Sequence, residues 1–129
     1  MAKRRSVNGS HARHENPIPN ASRIGNLVMS SVIGGANPGT RTLPSTLEEQ
    51  VANVFRHIRH DVEAAGGTVD DIIKITFWLK DPVSQRAALN EEWVRMFPDP
   101  DSRPARHSQH LPPDSRALVQ ADFTAVIGG

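Results

Sequence analysis

An α+β sandwich, with a mixed sheet carrying two helices on one side, is the fold class this 129-residue sequence predicts. Three observations lead there. The apolar period changes along the chain in the order strands, helix, strand, helix, strand, strand, and such runs give a mixed sheet with its helices on one face. Residues 46–65 repeat their apolar positions with the 3.6-residue period of an amphipathic helix. The last strand, Arg116 to Ile127, alternates so that Ala117, Val119, Ala121, Phe123, Ala125 and Ile127 form a wholly apolar face for the helices.

Residues 1–15 mix Arg, Ser, Asn, Gly and His with no apolar period and read as a flexible or peripheral arm before a single domain, 16–129. His11 and His14 lie in the arm. Asn16-Pro17-Ile18-Pro19-Asn20 is an extended approach, because each proline pushes its predecessor out of the helical region. A strand region follows from Ile24 to Gly35, turned at Gly25-Asn26, with Leu27, Met29, Ser31 and Ile33 on one face and Val28, Ser30 and Val32 on the other. Neither face carries a charge, which predicts cover on both sides.

Thr46 and Glu49 have the spacing of a capping box, Leu47, Val51, Val54, Phe55, Ile58, Val62 and Ala65 form the buried stripe, and Gly66-Gly67 ends the helix. His57 and His60 have the i,i+3 spacing that places two metal ligands on one helix face, but no acidic or cysteine ligand set accompanies them. Val69 to Lys80 alternates as a half-buried strand, with Ile73, Ile75, Phe77 and Leu79 on the apolar side. Asp81-Pro82 opens a second helix to about Phe97, with Val83, Arg86, Leu89, Asn90, Trp93 and Phe97 near one side. Ser102 to His110 is a strand entered through Pro104, and Leu111-Pro112-Pro113-Asp114 turns into the last strand. The face turned away from the helices is apolar and uncharged polar, which favours burial against other subunits in a closed ring.

The composition excludes several classes. There is no cysteine, no apolar run of membrane-spanning length and no apolar segment behind the basic start, so a cytoplasmic protein with no membrane partner is expected. Residues 1–16 hold Lys3, Arg4, Arg5 and Arg13 against Glu15, and the remaining 11 basic and 13 acidic residues give the body a net charge of −2. The basic character belongs to the arm, and no nucleic-acid partner is expected.

One constellation carries chemistry. On an extended segment Arg106, Ser108 and His110 share a face, while Ala105, His107 and Gln109 take the other. An arginine with small polar neighbours suits a bidentate clamp on a carboxylate. The same residue equally suits an ion pair with one of the chain's own acids.

Taken in order, Pro19-Asn20-Ala21, Ile24-Gly25-Asn26-Leu27-Val28, Ser31, Asn37-Pro38, Gln50, Ala64-Ala65-Gly66, Asp71-Ile72-Ile73-Lys74-Ile75-Thr76, Leu79-Lys80-Asp81, Asn90, Pro104-Ala105-Arg106 and Leu111-Pro112 resemble the RidA (YjgF-type) family of reactive-intermediate deaminases. The resemblance spans about residues 17 to 127. It implies a chorismate-mutase-like fold assembled as a homotrimer with pockets between subunits. It also implies hydrolysis of enamines and imines of 2-amino acids to 2-oxo acids and ammonia, with no metal and no organic cofactor.

Arg106 matches the family arginine that binds the substrate carboxylate. Ser31, Asn90 and Ser108 match pocket-lining positions, and Gln120 stands where many members have a glutamate that orients the attacking water. The chain departs from the pattern in several places. It has no tyrosine, and Ile18 falls near a pocket tyrosine of many relatives. Val32 replaces a glycine, and a shortened segment after Arg106 brings in His107 and His110, of which His110 shares the Arg106 face. These changes imply a divergent subgroup with a reshaped pocket, in which His110 is either a replacement acid or base or a hydrogen-bonded structural imidazole. Two other readings stand beside a deaminase. A trimer that binds a small carboxylate without turning it over is favoured by glutamine at 120, which cannot take a proton. The ribonuclease and translation-inhibitor activity associated with the family is opposed by the body's charge.

Overall fold

The computed structural model describes residues 3–9 and 16–128. The chain forms β1 (Arg5–Val7), β2 (Ala21–Ile24), β3 (Leu27–Ser30), β4 (Ile33–Gly34), α1 (Leu47–Ala64), a 3-10 turn (Val69–Asp71), β5 (Ile72–Leu79), α2 (Pro82–Met96), β6 (Ala105–His110) and β7 (Val119–Val126). The strands lie in the order β1-β2-β3-β7-β5-β6, with β4 also on β7. Only β5 and β6 are parallel, and α2 makes the crossover that such a pair requires. Both helices pack on one face, α1 over β4 and β7 and α2 against α1 and β6. The fold is the α+β sandwich expected.

The core lies between this sheet face and the helices. Val28, Ile33, Ile75, Phe77, Leu79, Val119, Ala121, Phe123 and Ala125 meet Val51, Val54, Phe55, Ile58 and Val62 of α1 and Leu89 and Trp93 of α2. The apolar face expected of the last strand is buried at every position from Ala117 to Ile127. At the start of α1, the Thr46 hydroxyl accepts from the Glu49 amide at 3.2 Å.

Polar residues within the α1 stripe hold the long loop after β4. Gln50 donates to the Pro44 carbonyl and accepts from the Leu118 amide, and Asn53 donates to the Gly35 carbonyl and to Asn37. His57 is buried, with Nε2 2.7 Å from the Ala36 carbonyl. Burial lowers its pKa, so the ring is neutral and donates there through Nε2. The i,i+3 pair is thus divided between a buried ring and the exposed His60.

Several sequence expectations are corrected. Arg5–Val7, within the stretch read as an arm, is an edge strand on β2 that buries Val7; three residues with one apolar member give no period to detect. His11 and His14 lie outside the described residues.

Ile33 shares the buried face with Val28 rather than the exposed face with Leu27 and Met29. The ladder breaks at Ser31-Val32, where the Ser30 hydroxyl takes over the pairing and accepts from the Phe123 amide at 2.9 Å. Ile73 is 55 % exposed, because a register shift between Ile72 and Lys74 inserts it as an extra residue and reverses the alternation before it. Val83 is 77 % exposed, and the inward stripe of α2 is Gln85, Leu89 and Trp93.

The sheet face away from the helices carries the exposed side chains of Ile24, Leu27, Met29 and Val126 together with Thr124, Gln120 and Thr76. Asp122, which pairs with Thr76, and Lys74, which pairs with Thr124, stand on the same face, so the wholly uncharged surface expected there is corrected: two opposite charges sit among its apolar and polar residues.

Candidate active site

Pro104 is buried and fixes the approach to β6, whose residues pair one for one with β5: Arg106 with Ile75, Ser108 with Phe77, His110 with Leu79. Paired residues point to the same side of a sheet, so Arg106, Ser108 and His110 project toward the helices. β6 is the sheet's edge, and Ser108 and His110 are exposed.

Arg106 has a built seat. Its guanidinium carbon lies 5.1 Å from the centroid of the Trp93 ring and 5.8 Å from that of Phe77. The two rings meet edge-on at 6.1 Å, Phe55 stacks on Phe77 at 5.6 Å, and Phe97 meets Trp93 at 5.0 Å. This aromatic wall presents π-faces to the cation.

Among the described residues no carboxylate pairs with Arg106; Arg59–Glu63 and Arg95–Glu92 are ion pairs within the two helices, and neither involves it. The ion-pair alternative therefore gives way to a half-buried arginine held on rings. Burial lowers its pKa, and the neighbouring Arg86 lowers it further, so both influences favour an arriving anion. Asn90 lies exposed on α2, three residues before Trp93.

Gln120 lies elsewhere. It pairs with Trp78 on β5 and Gly34 on β4, on β7 two strands from β6, and its side chain takes the sheet face opposite to Arg106. Val32 is 46 % exposed in the break between β3 and β4. The Ser31 hydroxyl donates to the Pro19 carbonyl at 2.8 Å and its amide to the Asn20 carbonyl at 2.9 Å, which ties the break to the approach segment. Within one chain the candidates thus fall into two groups. Arg106, Ser108, His110 and Asn90 lie at the α2–β6 cleft, and Gln120 lies on the open face, with Ser31 and Val32 at the break.

An open groove of about 410 Å³ between Arg41, Pro44, Gln50, Arg116 and Leu118 contains none of these residues. No group of three or more His, Cys, Asp or Glu residues among the described residues is arranged to hold a metal. No helix there is long and apolar enough to cross a membrane.

Sequence reasoning found Arg106 through alternation on β6 but missed its seat. Trp93 lay in the expected stripe of α2 as a core residue, and only the packing of α2 on β5 turns its ring to a cation from a strand thirteen residues on.

Comparison with known proteins agrees with the fold and the residue pattern. The family model described as Endoribonuclease L-PSP matches residues 11–125. A RutC family protein of Haemophilus influenzae is 31 % identical over 110 residues, 81 % of this chain and 84 % of that protein. The 2-iminobutanoate/2-iminopropanoate deaminase of Escherichia coli K12 is 29 % identical over 102 residues, 76 % of this chain and 79 % of the relative. Among solved structures, RidA from the Antarctic bacterium Psychrobacter superposes with a TM-score of 0.85 at 28 % identity, covering 95 % of this chain and 99 % of that one.

Proposed function

This chain belongs to the RidA (YjgF-type) family, and within it we propose that the protein hydrolyses a carboxylate-bearing enamine or imine to a 2-oxo acid and ammonia, in a pocket completed between subunits of a homotrimer. The observation that carries this reading is the Arg106 seat. A guanidinium held on two aromatic faces, short of water and without an acid of its own, is organised to receive a carboxylate by two parallel hydrogen bonds.

The chemistry asks little more of the protein. With its nitrogen protonated, the imine carbon is electrophilic. Water adds to that carbon, one water proton leaves to solvent, the amino nitrogen of the resulting carbinolamine takes a proton, and the C–N bond breaks as the hydroxyl gives up its proton to solvent, releasing ammonia and the 2-oxo acid. Positioning and preorganised dipoles supply the rate without a strong base. Gln120 fits the water-orienting role through its side-chain carbonyl, which accepts a hydrogen bond from the water and leaves its proton to solvent. No metal or organic cofactor takes part in this scheme. Ser31, Val32, Asn90, Ser108 and His110 would line the pocket around the substrate.

Because Arg106 and Gln120 face opposite sides of one sheet, a pocket that uses both needs the open face of a second copy against the α2–β6 edge of the first. The exposed Leu27, Met29 and Val126 on that open face support such an assembly. A cytoplasmic location goes with this reading.

The test is ammonia and 2-oxo acid release from enzymatically generated imines, with Arg106→Ala and Gln120→Ala at matched oligomer content. Acceleration by the wild type and its loss in Arg106→Ala support the deaminase. A rate equal to the spontaneous one across imines rejects it in favour of a trimeric carboxylate-binding protein, the reading that glutamine at 120 supports.

A further inference from the structure

Two guanidinium groups share the cleft between α2 and the β6 edge, and among the described residues neither meets a carboxylate. Arg106 is one. Arg86 is the other: it stands four residues before Asn90 and seven before Trp93, a spacing that places all three on one face of α2.

The crossover fixes their placement along the cleft. Since α2 joins two parallel strands, it runs back against both of them, and its early turns overlie the ends of β5 and β6. Trp93 meets Arg106 near the start of β6. Arg86, about two helical turns earlier on α2, is directed by the same geometry toward the level of the end of β6, where Ser108 and His110 lie. Arg86 is near enough that its charge disfavours the charge on Arg106. Two like charges in a partly desolvated cleft repel, and a pair of anionic groups on one ligand would neutralise both.

We infer that Arg86 is a second anion anchor in this cleft, so that the site prefers short dicarboxylates, with Arg106 on the carboxylate beside the imine carbon and Arg86 on the distal one. The inference rests on the deaminase reading above and narrows its substrate class to imines of acidic amino acids. Asn90 lies between the two anchors on the same helix face, where its amide can donate to either carboxylate.

Calorimetric titration of the full chain with two stable product-like probes, 2-oxoglutarate and 2-oxobutanoate, tests this. The wild type should bind 2-oxoglutarate about tenfold tighter or more, the size of one charge-assisted hydrogen-bonded contact. That ratio should shrink as salt is raised. Arg86→Gln should bring the ratio close to one, Arg86→Lys should keep part of it, and Arg106→Gln should abolish binding of both probes. Arg86 is exposed on its helix, so its replacement leaves the core intact. A wild-type ratio near one, or a ratio that survives Arg86→Gln, overturns the anchor while the Arg106-dependent binding of 2-oxobutanoate preserves the wider proposal. Failure of the wild type to bind either probe overturns both. If Arg86→Gln changes the oligomeric state in sedimentation without changing the ratio, Arg86 serves subunit contact and the inference falls.

Discussion

The Arg106 guanidinium stands 5.1 Å from the centroid of the Trp93 ring, and Trp93 is itself wedged edge-on between Phe77 and Phe97. Trp93 thus positions the cation through its ring. Trp93→Phe keeps a π-face and Trp93→Leu does not. In imine hydrolysis Trp93→Leu should raise KM by about two- to fivefold with little change in kcat, the effect of losing roughly 0.5–1 kcal/mol of cation–π attraction. Trp93→Phe should lie close to wild type. Equal changes in both variants would show that ring volume matters and the π-face does not.

The open sheet face gives a second prediction. Met29 is 56 % exposed beside Leu27, with Val126 next to them on the neighbouring strand. Met29→Glu places a charge where the proposed subunit contact would bury it, and should shift the protein to monomers in sedimentation velocity at micromolar concentration. Loss of imine hydrolysis should accompany the shift, since Arg106 and Gln120 would no longer meet. An unchanged oligomer would place the contact elsewhere.

A third concerns Asp61, fully buried on α1. Burial pushes its pKa up to about 7 from 3.8, although a hydrogen bond from the Asn20 side chain pulls the other way. The folded state therefore holds a proton that the unfolded chain has released. The sign follows from proton linkage: stability is greatest below the unfolded pKa, falls as pH rises from about 4 to about 7, and is level beyond. The total fall is at most about 4 kcal/mol. Asp61→Asn should flatten this window, and it should raise the thermal midpoint at pH 8 more than at pH 5. A parallel pH profile in the variant would remove Asp61 as the cause.

Gly35 supplies a fourth. A Cβ at this position would lie 2.6 Å from the Gln50 carbonyl oxygen, which is backbone and cannot rotate away, whereas one at Gly34 would meet nothing within 4 Å. Gly35→Ala should cost about 1–3 kcal/mol in urea unfolding by forcing the loop from α1, and Gly34→Ala should cost well under half of that. Similar losses at both would mean that backbone freedom, rather than close approach, is what glycine provides here.

The parts of the fold that were legible from sequence are those where one residue type repeats against one surface. The α1 stripe and the last strand bury what their periods say they bury. Ile73, Ile33 and Val83 went astray for one reason: each depends on a partner the local sequence does not contain. An inserted residue against β7 turns Ile73 outward, a serine hydroxyl in place of a ladder bond resets Ile33, and the roll of α2 on the sheet exposes Val83. The site divides the same way. Alternation was enough to place Arg106, Ser108 and His110 on one face, while the aromatic seat, made by Phe77 of β5 and Trp93 of α2, appears only once the packing of α2 on the sheet is known. The polar stripe Gln50, Asn53 and His57 was equally hidden, since each side chain is matched to a carbonyl or amide in a distant loop.

Arg23 joins two elements that are far apart in sequence. Its Nε donates to the Gly25 carbonyl in the β2–β3 turn at 2.8 Å, and its Nη1 donates to the Ala65 carbonyl at the end of α1 at 2.6 Å. The last turn of α1 has no basic residue of its own, so this guanidinium is the cation its terminal carbonyls receive. Gly66, at φ +99°, leaves the space the contact needs. The hairpin tip and the helix end are thereby fastened by a single side chain, and neither can fray without releasing the other. In native-state hydrogen exchange the amides at both places should open as one cooperative unit, and Arg23→Ala should split that unit into two with separate and faster exchange.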